Sequence, residues 1–162
     1  MLYAVLVVAL VVLDQVVKCL VRANIPLGGD VPFLPHILQL TYVQNTGAAF
    51  SLLEEHTWIL TIVSLVVSVL LVVLLAKKVF SRPFAMAALS MVLAGAVGNL
   101  IDRTLRGFVV DMFQLLFMNF AVFNVADICV VVGGIAAAAY YLLLADKLEH
   151  KEAPHGTADA DR

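Results

Sequence analysis

Four apolar runs, each close to the length that crosses a bilayer, set the limits on what this chain can fold into. They cover about residues 1–21, 57–76, 84–101 and 125–145. A helix needs about 20 mostly apolar residues to span the hydrocarbon core. Backbone in lipid must satisfy its own hydrogen bonds, so such runs are expected to be helices. Composition agrees: of 162 residues, 63% are hydrophobic and 14% charged, against roughly 45–50% and about 25% in soluble domains. We therefore expect an all-α membrane protein, a bundle of four transmembrane helices. Residues 1–146 form the membrane domain. The polar tail 147–162 lacks periodicity and is expected to be disordered.

The first run could be mistaken for a signal peptide. It lacks a basic leading region, and its apolar stretch is long, so it reads as a retained helix. The second carries no charge and reads as a lipid-facing span, with Trp58 as an interfacial anchor. The third and fourth are rich in Ala and Gly, which allow close helix packing. Lys77, Lys78 and Arg82 lie in the second connection, whereas 23–56 holds no Lys or Arg. The tail holds Lys147, Lys151 and Arg162. Basic residues favour the cytoplasmic side, so both termini are expected there and the two longer connections face outward. Arg103 and Arg106 in the third connection run against that bias and read as site residues instead.

The formal net charge is −2. No basic patch with interleaved aromatics is present, so nucleic acid is not an expected partner. Cys19 and Cys129 fall inside apolar runs and show neither a disulfide framework nor a metal knot. They read as small buried hydrophobes.

In the first outward connection, Ile37–Val43 is β-prone and two short strands are expected. Gly47–Glu54 reads as a short interfacial helix or a packed loop. The third connection, "DRTLRGFVVDMFQLLFMNFAVFNVAD", is too apolar for a solvated loop and should lie against headgroups or the bundle.

Ionisable groups inside membrane segments are functional candidates by default. Asp14 and Lys18, at i and i+4, face each other along a helix. They read as a self-neutralising ion pair or as a headgroup contact. Asn99, Asp102, Arg103 and Arg106 follow i, i+3, i+4, i+7 and share one face if the third helix continues. That face reads as an interfacial cap with an Asp–Arg pair, or as support for a nearby site. Asp111 and Asp127 have no cation at i±3 or i±4, and both should lie near the outer surface. Two such carboxylates at one depth suggest a pair sharing a proton, the arrangement that activates water for peptide hydrolysis. Asn124, one turn before Asp127, is placed to donate to it. An N-cap role for Asp127 remains the rival reading. No GxSxG or HExxH pattern is present.

Five ordered blocks, "DQVVK", "QNTGAAFS", "GNLIDR", "VVDMF" and "FNVAD", together resemble lipoprotein signal peptidase, the type II signal peptidase family of bacteria. The resemblance implies an aspartic endopeptidase of the cytoplasmic (inner) membrane. Its substrate would be a prolipoprotein carrying diacylglycerol on a cysteine, cut just before that cysteine. It implies Asp111 and Asp127 as catalytic residues. Asp14, Lys18, Asn45, Gly47, Asn99, Asp102, Arg103, Phe123, Asn124 and Ala126 would support them or bind substrate. It also implies a small extracytoplasmic β-cradle. No metal or organic cofactor is expected; membrane lipid is a partner, and a monomer is expected. Two other readings compete. One is a small proton- or ion-coupled transporter, which needs carboxylates spread across the membrane. The other is a non-catalytic assembly factor whose polar groups only hold helices together.

Overall fold

The computed structural model describes residues 1–47, 56–80 and 82–142. The expected interfacial helix beyond Gly47, the end of the fourth run and the tail lie outside the described residues.

Helix α1 spans Leu2–Asn24, α2 Thr57–Ala76 and α3 Pro83–Arg106. All three are long and apolar enough to cross a membrane, with mean hydropathies of 2.4, 3.1 and 1.9. α4, Val125–Tyr140, is also apolar but has 16 residues in its described part, about 24 Å at 1.5 Å per residue. Among the described residues, three spans are therefore evident by length, and the fourth expected run continues beyond them.

α3 starts with proline at its first turn, where the missing N–H costs nothing. It runs past the apolar stretch to Arg106 and stops at Gly107, whose φ of 78° is the left-handed geometry that glycine supplies. α3 is central, packing against α1, α2 and α4. Its small residues make this possible. A Cβ on Gly95 would lie 2.2 Å from the Ala126 carbonyl oxygen of α4, and one on Gly133 of α4 would lie 2.6 Å from that of Ala88. The outer faces of α1 and α2 expose valines and leucines throughout, as lipid-facing surfaces do.

A three-stranded antiparallel sheet accompanies the helices: β1 (Asp30–Leu34), β2 (Leu38–Asn45) and β3 (Val109–Leu115), in that order. The hairpin β1–β2 is the expected strand pair. β3 is the addition, formed by the apolar third connection. Its partner β2 lies some seventy residues earlier, so no local pattern announces the pairing. Val43 sits opposite Asp111 and Asn45 opposite Val109. Val110 and Met112 of β3 bury themselves with Tyr42 against Val21 and Ile25 at the end of α1. This apolar cluster seats the sheet on the helices and fixes where Asp111 emerges.

Candidate active site

Asp111 comes from the middle of β3 and Asp127 from the first turn of α4. Both line one cavity of about 590 Å³. Asn45, Asn99, Arg103 and Phe123 share its wall, and most of the remaining lining is apolar.

Asn124 joins the two aspartates. It is the N-cap of α4, where its side-chain oxygen accepts from the Asp127 N–H at 2.9 Å and the Asp127 carboxylate accepts from the Asn124 N–H at 3.1 Å. This reciprocal capping box satisfies the helix terminus. It leaves the amide nitrogen available, and Nδ2 donates to Asp111 Oδ1 at 2.6 Å. The expected donation from Asn124 to the Asp127 carboxylate is thus present, made by the backbone N–H, and the side-chain nitrogen serves the partner aspartate. The N-cap reading for Asp127 is corrected, because Asp127 occupies the third helical position and Asn124 is the cap.

Asp111 is 2% exposed. Its second oxygen accepts from Asn45 Nδ2 at 2.8 Å, and Asn45 Oδ1 in turn accepts from the Gly47 N–H at 2.9 Å. Burial, followed by the nearby charge of Asp127, pushes the Asp111 carboxyl up from 3.8 to about 6, against the pull of Asn45, Asn124 and Lys18. Asp127 is half-buried. Its Oδ1 accepts from Asn99 Nδ2 at 2.8 Å.

Behind the cavity lies a second polar layer. Lys18 contacts Asp14 at 2.9 Å and Asp102 at 3.2 Å, and donates to Asn99 Oδ1 at 2.9 Å. The Asp14–Lys18 ion pair is present as expected, and it is shared with Asp102. Asp102 also pairs with Arg106 and accepts from the Val110 N–H at 3.1 Å. Asp14 accepts from the N–H of Ala126 at 2.9 Å. The polar face from Asn99 to Arg106 forms as the spacing required. Phe123 holds the other edge of β3 through its backbone: its carbonyl accepts from Met112 and Phe113, and its N–H donates to Phe113. Its ring packs against Phe113. All twelve expected site residues therefore meet in one region. In the described parts of the helices the acidic residues are Asp14, Asp102 and Asp127, all within this cluster rather than spread along the bundle.

α2 carries a contribution that its charge-free sequence hid. Val63, Ser64 and Val67 line the cavity, and Ser64 Oγ accepts from Arg103 at 3.3 Å. One face of this span thus belongs to the site. The signal available in sequence was slight: isolated serines in an otherwise aliphatic run.

The fold and site define a multi-pass membrane protein with two aspartates converging on a mostly apolar cavity. Residues 6–143 match the family model described as signal peptidase (SPase) II. The lipoprotein signal peptidase of Enterococcus faecalis is 47% identical over 148 residues, covering 91% of each chain. That of Streptococcus pneumoniae is 44% identical over 130 residues, 80% of this chain and 85% of the other. Among solved structures, a bacterial membrane enzyme determined by the in meso method superposes with a TM-score of 0.83 at 29% identity, covering 96% of this chain and 94% of that one. A second, at 31% identity, gives 0.79 over 88% and 93%. The chain belongs to the signal peptidase II family, and membership makes it a membrane protease.

Proposed function

We propose that this protein removes signal peptides from diacylglyceryl-modified prolipoproteins, cutting just before the lipidated cysteine, by water activation between Asp111 and Asp127. It does so in the bacterial cytoplasmic membrane, as a four-span bundle with both termini cytoplasmic and the site near the outer face. The observation that carries this reading is that Asp111 and Asp127 line one cavity and are bridged by Asn124.

The surroundings divide the roles. Each carboxylate accepts two N–H donors, but Asp127 sits in the first turn of α4, where the positive end of the helix dipole favours a negative charge. It is the base. Asp111 is more buried and faces that charge, so it holds the proton. Asp127 takes a proton from a water between the carboxyls, and the water oxygen attacks the scissile carbonyl. The Asp111 hydroxyl donates to that carbonyl oxygen as it gains charge. The tetrahedral intermediate collapses, and Asp127 returns its proton to the leaving amine. The apolar lining, with Val63, Val67 and Val130–Val132, suits a substrate whose cysteine is anchored in lipid.

Purified protein incubated with matched lipidated and unlipidated lipobox peptides tests this. Cleavage of the lipidated peptide at the bond before cysteine is expected. Equal turnover of both peptides removes the lipid requirement, and turnover of neither removes the assignment.

A further inference from the structure

We infer that Lys18 is a positioning residue that sets the geometry of the Asp111–Asp127 pair by tying together the two carboxylates that hold its backbone; this rests on the catalytic reading above. Asp14 accepts the N–H of Ala126, the residue just before Asp127. Asp102 accepts the N–H of Val110, the residue just before Asp111. Lys18 Nζ lies 2.9 Å from Asp14 Oδ2 and 3.2 Å from Asp102 Oδ2. One ammonium thus links the strand that carries one aspartate to the helix that carries the other, using a prop on α1 and a prop on α3.

The third ammonium proton has a use as well. Lys18 donates to Asn99 Oδ1 at 2.9 Å. A lysine only donates and a carboxylate only accepts. The amide of Asn99 is therefore locked with its oxygen toward Lys18 and its nitrogen toward Asp127 Oδ1. Lys18 fixes the backbone of both aspartates and the hydrogen bonding of one.

Holding helices together does not require this arrangement. The side chains of Lys18, Asp14 and Asp102 are 0%, 1% and 0% exposed. Burying such charges is costly, and a well-packed apolar replacement is often as stable. What apolar packing cannot supply is three directed bonds from one atom. Arginine keeps the charge but spreads its donors over a planar fork, so it cannot meet the three acceptors from one point.

The test compares Lys18→Gln, Lys18→Arg and the double variant Asp14→Asn/Lys18→Gln with the wild-type protein, measuring kcat and KM on a lipidated peptide together with the melting temperature. In the folded fraction, Lys18→Gln is expected to lose about a hundredfold in kcat, the scale of an ångström misplacement, with KM within about twofold. The double variant rebuilds the links with neutral amides: Asn at 14 accepts from Ala126 and donates to Gln at 18. It is expected to recover about tenfold of that loss. If Lys18→Gln does not fold, Lys18→Arg decides, with kcat expected to fall about tenfold at unchanged KM. Wild-type kcat with only a lowered melting temperature, or a raised KM at unchanged kcat, overturns the proposal. Asp111→Asn runs beside them. If it cleaves normally, the catalytic reading fails; if it is inert while the Lys18 variants keep wild-type kcat, only the positioning role fails.

Discussion

Replacing Asn45 by leucine is expected to move the alkaline limb of the cleavage profile upward by about one to two pH units. Asn45 Nδ2 donates to Asp111 Oδ2 at 2.8 Å. A hydrogen bond to a charged group contributes roughly 1.5–3 kcal/mol, and each pKa unit corresponds to about 1.36 kcal/mol. The bond favours the ionised carboxylate, so its loss makes Asp111 hold its proton to higher pH. Starting from about 6, the limb should move to about 7–8. The other groups acting on Asp111 stay in place: Asn124 and Asp127 at the start of α4, Lys18 on α1 and Arg103 on α3. Asn45 Oδ1 also accepts from Gly47, so a modest loss of stability is expected, and rates should be taken per folded enzyme. The assay is kcat/KM on a lipidated peptide in mixed micelles over about pH 4–9, where the limbs report the free enzyme's acid and base. An unmoved or lowered alkaline limb refutes Asp111 as the proton donor. An acid limb that moves up instead makes Asp111 the base and exchanges the two roles.

Two further substitutions probe the supports. Gly95→Ala puts a methyl 2.2 Å from the Ala126 carbonyl oxygen. It is expected to lower stability by about 1–3 kcal/mol, seen as a reduced melting temperature, and to lower kcat because the start of α4 must shift. Asn124→Ala removes the cap of α4, costing about 1 kcal/mol, and the donor to Asp111. Its alkaline limb should rise as for Asn45, while kcat falls by about tenfold or more, equivalent to at least about 1.4 kcal/mol.

Much of this was legible in the sequence, because membrane physics makes apolar runs and their exceptions conspicuous. The helix-spaced face from Asn99 to Arg106 and the pair Asp14–Lys18 follow from helical periodicity alone. The strand-forming character of residues 37–43 follows instead from their β-prone residue types. What stayed hidden depends on pairings far apart in sequence. β3 reads as a generic apolar stretch because its strand character comes from β2 and from the cluster at the end of α1. Lys18 has its i−4 partner in view, but Asp102 and Asn99 reach it only through packing of α1 on α3. Asn124 was matched to Asp127, to which its backbone N–H donates, but its side-chain bond to Asp111 was not foreseen. A helix-face argument does not show that the capping box uses the amide oxygen and leaves the amide nitrogen for Asp111.

The most direct measurement of the central claim is single-turnover cleavage of a lipidated lipobox peptide by purified Asp111→Asn and Asp127→Asn, each shown to be folded by its melting curve. The water-activating pair predicts that neither variant releases signal peptide above background while both remain folded. Near wild-type cleavage by either one contradicts it.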